Sequence, residues 1–73
     1  MRTRDPRPIF GKYLRKLRLA RGFSQEKLGE LADLHRNYVG GVERGERNIA
    51  LLNIVALARA LRLKPAKLLE TIL

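Results

Sequence analysis

With 73 residues, 45% apolar and 5% aromatic, the chain can form one small domain whose core is built from Leu, Ile, Val and Ala. Sixteen Lys and Arg against seven Asp and Glu leave a net charge of +9, which suits a polyanionic partner or serves solubility. Without cysteine there is no disulfide framework, thiolate metal site or cysteine nucleophile; without an apolar run near ~20 residues or a signal-peptide core, a cytoplasmic protein off the membrane is expected.

Residues 1–8 hold two prolines, three arginines and little apolar material, which predicts a flexible basic arm that cannot pack and leaves residues 9–73 as the domain. From residue 9 to residue 21, Phe10, Tyr13, Leu14 and Leu17 follow a 3.6-residue period, and Gly22 is placed to stop this first helix in the left-handed conformation. Ser24 then offers its hydroxyl as an N-cap, Glu26 sits at the positive end of the helix dipole, and Phe23 can staple onto Leu28. A second helix over residues 25–32 follows, with Leu28, Leu31 and Ala32 as its apolar positions. After a break at Asp33 and Leu34, Val39 and Val42 mark a third helix over residues 36–44, stopped by Gly45. So short a break suits a helix-turn-helix better than an antiparallel hairpin.

A polar loop occupies residues 45–49. Between Leu51 and Leu61 the apolar residues exceed what one stripe of a surface helix requires, so part of that fourth helix is expected to form an interface. Pro65 suits the first turn of a fifth helix running to residue 72, with Leu68, Leu69, Ile72 and Leu73. The plan is all-α, five helices without strands, and shows no repeat or linker.

A capped Ser24-Gln25-Glu26 helix, the run Arg36-Asn37-Tyr38-Val39-Gly40-Gly41-Val42-Glu43-Arg44-Gly45-Glu46-Arg47-Asn48 and an apolar helix follow one another in this order. That order closely resembles the phage repressor and Cro type (XRE-like) helix-turn-helix family, a lambda-repressor-like DNA-binding fold. Within it the run is most similar to the controller proteins of restriction-modification systems, over residues 9–70. The resemblance implies a third helix in the major groove of double-stranded DNA. It also implies a homodimer on a palindromic operator with half-site centres about 34 Å apart.

Carried over by position, Gln25 resembles the glutamine that contacts a phosphate and braces the recognition helix. Arg36 and Asn37 fall where the family reads base edges: Arg can grip guanine O6 and N7, and Asn adenine N6 and N7, with a phosphate contact as the alternative for Arg36. Tyr38 either donates to a phosphate or packs its ring beside the helix. Gly40 and Gly41 each cost about 1 kcal/mol against Ala in a helix, so they imply either close approach of the helix backbone to the groove floor, leaving room for thymine methyls or large neighbouring side chains, or close packing or tolerated drift. Arg44, Arg47 and Asn48 fall where the family touches the sugar-phosphate backbone, with capping of the fourth helix as an alternative or additional role for Asn48. Glu43 reads as an ion-pair partner that orients an arginine, and His35 as a cap of the third helix or a phosphate contact. Arg2, Arg4 and Arg7 either enter a minor groove or add nonspecific attraction; Lys12, Arg15, Lys16 and Arg18 either touch backbone or form a solvated face. Asp33 and Arg62 stand where the family usually has glycine, and Gly29 where alanine is usual.

Leu52, Val55, Leu69, Ile72 and Leu73 are the dimer-interface candidates, with completion of the core as the rival role for Leu69 and Ile72. An enzyme is not expected, because His35 is the single histidine and no paired carboxylates, metal ligands or nucleophile with a base accompany it. Neither cofactor nor metal is expected. The leading expectation is a sequence-specific transcription regulator. An antitoxin that also binds a toxin protein, and a protein-interaction adaptor, are its alternatives.

Overall fold

The computed structural model describes residues 4–72. Among them run five helices and no strand: α1 (Pro6–Ala20), α2 (Gln25–Ala32), α3 (Arg36–Glu43), α4 (Leu51–Ala60) and α5 (Pro65–Leu69). Helix starts follow capping chemistry. The Asp5 carboxylate accepts the Arg7 amide at 3.0 Å and Pro6 takes the first helical position, where its missing N–H costs nothing. The prolines that suggest an arm over residues 1–8 therefore begin α1, three residues before the expected start at Ile9. Pro8 packs against Gly45, so this segment does contribute contacts. Arg4 and Arg7 are exposed, whereas Arg2 lies outside the described residues. Ser24 Oγ accepts the Lys27 amide at 2.9 Å and His35 Nδ1 accepts the Asn37 amide at 3.0 Å. Neither α4 nor α5 has a side-chain cap; α4 begins from Ala50, so Asn48 does not take the capping role offered for it.

Four helices stop in one way. Gly22, Asp33, Gly45 and Arg62 adopt positive φ of 72°, 57°, 79° and 57°. The amide after each reaches back into the last turn: Phe23 to Arg18 O at 3.2 Å, Leu34 to Gly29 O at 2.8 Å, Glu46 to Gly41 O at 2.9 Å and Leu63 to Ala58 O at 2.8 Å. This Schellman geometry satisfies orphan carbonyls and turns the following side chain inward. Phe23, Leu34 and Leu63 accordingly pack against the core. Arg62 thus keeps the backbone of the glycine usual at its position, at a steric cost of about 1–2 kcal/mol for an L-residue.

The core joins Phe10 and Leu14 of α1, Leu28 and Ala32 of α2, Val39 and Val42 of α3, Ile54, Leu57, Ala58 and Leu61 of α4 and its end, and Leu68 of α5. α3 packs against α1 and α2, while α4 packs against α2 and α5. A Cβ at Gly11 would overlap the carbonyl oxygens of Val42 and Glu43, so α1 meets the end of α3 backbone to backbone. A Cβ at Gly29 would likewise overlap the Leu34 carbonyl, which explains glycine where the family usually has alanine. Of the three apolar positions of α2, Leu28 and Ala32 are buried and Leu31 is exposed. α5 stops at Leu69 rather than near residue 72, and Ile72 folds back onto the core, the rival role named for it.

Arg18 is the largest departure from expectation. It follows Phe10 and Leu14 at four-residue intervals, so the α1 stripe carries it inward instead of leaving it on a solvated face. Its Nε and Nη2 donate to the two Glu43 oxygens at 2.7 and 2.9 Å, and its Nη1 donates to Phe23 O at 2.8 Å. Gln25 Nε2 donates to Glu43 Oε1 at 3.0 Å. The two charged side chains are only 7% and 3% exposed. No buried side-chain nitrogen or oxygen among the described residues lacks a partner. Tyr13 donates its hydroxyl to Glu70, which also pairs with Lys67 at 2.9 Å, tying α1 to the end of α5.

Arg18→Ala strands the Glu43 carboxylate and should cost about 3–5 kcal/mol in urea denaturation, whereas Arg18→Met combined with Glu43→Leu should recover most of that loss. A loss under ~1 kcal/mol for Arg18→Ala would show that the pair does not hold the helices together. The Tyr13 hydroxyl first, and Lys67 second, hold the Glu70 carboxyl below its ordinary value of 4.5. The stability this gives is present above 4.5 and is lost as pH falls through the lower folded value. Glu70→Gln should therefore flatten the acid limb of a stability-against-pH curve below pH 4.5; an unchanged limb would dismiss the tie.

Candidate nucleic-acid interface

Val39, Val42 and Glu43 define the buried side of α3. The helical period then turns Asn37 and Arg44 outward on the opposite side, with Gly41 between them beneath the Arg47 side chain. Around this outward face the fold gathers residues from α2, α3 and the loop after it. Gln25 opens α2, with its Nε2 held by Glu43 and its Oε1 beside Gly40. His35 caps α3 through Nδ1, which leaves Nε2 as the N–H donor of a neutral ring.

Arg36 and Asn37 are both exposed in the first turn of α3. The Arg36 guanidinium is not free: Nη1 donates to Glu26 Oε2 at 2.7 Å, bridging the starts of α2 and α3. Both partners remain exposed, so the pair adds about 0–1 kcal/mol to stability and chiefly confines where the arginine points. Glu26, which the sequence marks only as a favourable helix-start acid, thus acts on the residue expected to read bases.

Gly40 and Gly41, expected at base edges, are buried beneath neighbouring side chains. A Cβ at Gly40 would lie 3.0 Å from Arg44 Nη1 and 3.1 Å from Gln25 Oε1, and one at Gly41 would lie 3.1 Å from Arg47 Nε. Long polar side chains fold over both glycines. The space that the two missing Cβ atoms leave is occupied by these neighbouring side chains.

Arg44 caps the end of α3 and pairs with Glu46 at 2.9 Å, and Glu46 is held below the usual carboxylate range chiefly by that contact. Arg47 lies over the Tyr38 ring, its guanidinium carbon 5.6 Å from the centroid. The Tyr38 hydroxyl accepts a hydrogen bond from Asn53 Nδ2 at 3.0 Å, so the tyrosine combines a packed ring with a polar tip. Asn48 is exposed in the loop. Arg4, Lys12, Arg15 and Lys16 are exposed cations elsewhere; only Arg18 of that basic run is withdrawn into the core.

Sequence reasoning misses Asn53 and the identity of the arginine that Glu43 holds. A polar residue inside the apolar run Leu51-Leu52-Asn53-Ile54-Val55 is the available signal for the first, and Arg18 on the Phe10-Leu14 stripe for the second. Of the interface candidates, Leu52 is 81% exposed, Leu69 37% exposed and Val55 half-buried, while Leu73 lies outside the described residues. Leu51, not singled out from the sequence, is 72% exposed beside Leu52. Among the described residues no group of His, Asp and Glu could hold a metal ion, and no helix is long and apolar enough to cross a membrane.

A helix-turn-helix family model matches residues 14–68. Control protein C.BamHI of Bacillus amyloliquefaciens is 44% identical over 93% of this chain and 85% of its own length. Control protein C.SmaI of Serratia marcescens is 43% identical over 89% of this chain and 77% of its own. The crystal structure of the restriction-modification controller protein C.AhdI from Aeromonas hydrophila is similar with a TM-score of 0.83 and 56% identity, over 84% of this chain and 92% of that one. Five helices in this order, a capped turn between α2 and α3 and relatives at this level of identity agree: the chain belongs to the helix-turn-helix family of DNA-binding transcription regulators, in the group that contains the restriction-modification control proteins.

Proposed function

We propose that the chain is a restriction-modification controller that binds a palindromic operator as a homodimer. The observation that carries this reading is the outward face of α3: exposed Arg36 and Asn37 in its first turn, with Gln25, Arg44 and Arg47 gathered around it. Arg36 and Asn37 read base edges, since a guanidinium and a carboxamide each offer two bonding atoms to a purine edge. Gln25, His35, Tyr38, Arg44, Arg47 and Asn48 contact the sugar-phosphate backbone and set the register. Three of them visibly have bonding capacity left over: His35 keeps Nε2, Tyr38 keeps its hydroxyl proton, and Gln25 keeps one amide hydrogen. Gly40 and Gly41 act by seating these side chains and do not touch bases themselves.

A single short α3 reads one half-site, so a palindrome requires two copies with α3 helices about 34 Å apart. Leu51 and Leu52 on α4 and Leu69 on α5 are the exposed aliphatic residues that support this dimer, with Val55 behind them. Leu19 and Leu31 are also exposed, but on α1 and α2, and are left outside it. The relatives named above are control proteins, which favours this reading over an antitoxin or an adaptor.

Selection of bound duplexes from a random pool should return a palindrome. Arg36→Ala should then cost about 1–3 kcal/mol of discrimination against a base change at the contacted position. Recovery of no preferred sequence would overturn the reading. Leu51→Asp with Leu52→Asp should yield a folded monomer in sedimentation that binds the selected palindrome weakly, and an unchanged dimer would remove α4 from the interface.

A further inference from the structure

Tyr38 and Arg47 are far enough apart in sequence that a loop reversal is needed to stack one on the other. The guanidinium nevertheless sits 5.6 Å from the ring centroid, and its Nε stem lies where a Cβ of Gly41 would come within 3.1 Å. Arg47 therefore rests in a seat with a glycine floor and an aromatic wall. Such a seat works only if the ring is held, and Tyr38 is half-buried and packed against the core. Its far end is fixed as well. Asn53, half-buried in the first turn of α4, donates Nδ2 to the Tyr38 hydroxyl at 3.0 Å, and this hydrogen bond joins α3 to α4 across the loop that carries Arg47.

We propose that Asn53 is a positioning residue for DNA binding: through the Tyr38 ring it holds the Arg47 guanidinium over the outward face of α3. This rests on the reading above in which Arg47 contacts the DNA backbone. Asn53 itself need not touch DNA. Its effect passes through the ring, because a guanidinium stacked on an aromatic face loses little freedom on meeting a phosphate, whereas a loose one must be ordered at that moment. Asn53 stands next to Leu52 and two residues before Val55, so the helix that orients the ring is also the helix proposed to meet the second copy.

The measurement is DNA affinity against salt for the intact protein on two duplexes, the selected palindrome and a mixed-sequence duplex of equal length. The variants are Asn53→Ala, Tyr38→Phe, Arg47→Ala and the Asn53→Ala/Arg47→Ala pair, with thermal melting and sedimentation recorded for each. Arg47→Ala should lower affinity on both duplexes and reduce the slope of log affinity against log salt by about 0.9 for each phosphate that the arginine neutralises. Asn53→Ala should lower affinity on both duplexes by several-fold while the protein remains folded and dimeric, and Tyr38→Phe, which also removes the hydroxyl proposed to meet the backbone, should lower it at least as much. In the Arg47→Ala background, Asn53→Ala should have no further effect. Additivity of Asn53→Ala with Arg47→Ala, or full affinity in Asn53→Ala, overturns the relay while leaving Arg47 as a backbone contact. Full affinity and an unchanged salt slope in Arg47→Ala overturn the backbone contact and the relay together.

Discussion

The Glu43 carboxylate, buried where α1, α2 and α3 meet, is the constraint from which the rest of the molecule is arranged. A carboxylate in that position is tolerable only if its charge is matched and its lone pairs are used. Arg18 supplies two donors from α1 and Gln25 a third from the start of α2. Because these donors come from two different helices, they can satisfy one acceptor on a third in a single relative arrangement. The pair contributes less to net stability than to the uniqueness of that arrangement, since an apolar substitute could fill the space without specifying direction. Arg18 also closes the α1 to α2 turn through the Phe23 carbonyl, so the buried ion pair and the first helix stop are parts of one network.

With α3 fixed in this way, its outward face is built from side chains that do not all belong to it. Gln25 arrives from α2, Arg44 from the helix end and Arg47 from the loop, and all three lie over the two glycines of α3. Larger residues there would displace these side chains by filling their seats. The helix-propensity cost of two adjacent glycines, about 2 kcal/mol in sum, is thus offset by a surface that one eight-residue helix could not present alone. The two ends of α3 are treated alike electrostatically: Glu26 confines Arg36 at the start and Glu46 confines Arg44 at the end.

The same restraint runs through the whole charge pattern. Six of the seven acids each pair with a cation within 4 Å, and the seventh, Asp33, occupies a left-handed helix stop. Five of these pairs are exposed, where an ion pair is worth about 0–1 kcal/mol. Their effect is to restrict long cationic side chains without cancelling the +9 excess, which stays available for long-range attraction of a polyanion.

The sequence by itself determined the helices and their order, because caps, stops and apolar period are local. Ser24 capping α2, Gly22, Asp33 and Gly45 at left-handed stops, and the stripes of Phe10, Leu14, Leu28, Val39 and Val42 all act within a few residues. The start of α1 is ambiguous for an equally local reason, since proline ends helices as readily as it begins them and Asp5 is the cap that decides which. What tertiary structure alone decided was partnership. Arg18 and Glu43 are 25 residues apart, Tyr38 and Asn53 are 15 apart, and Arg36 and Glu26 are 10 apart. No period in the chain selects those pairs. The seats that Gly40 and Gly41 provide are likewise invisible until the side chains of α2 and the loop are brought over them, because the space a missing Cβ leaves has meaning only once a neighbour fills it.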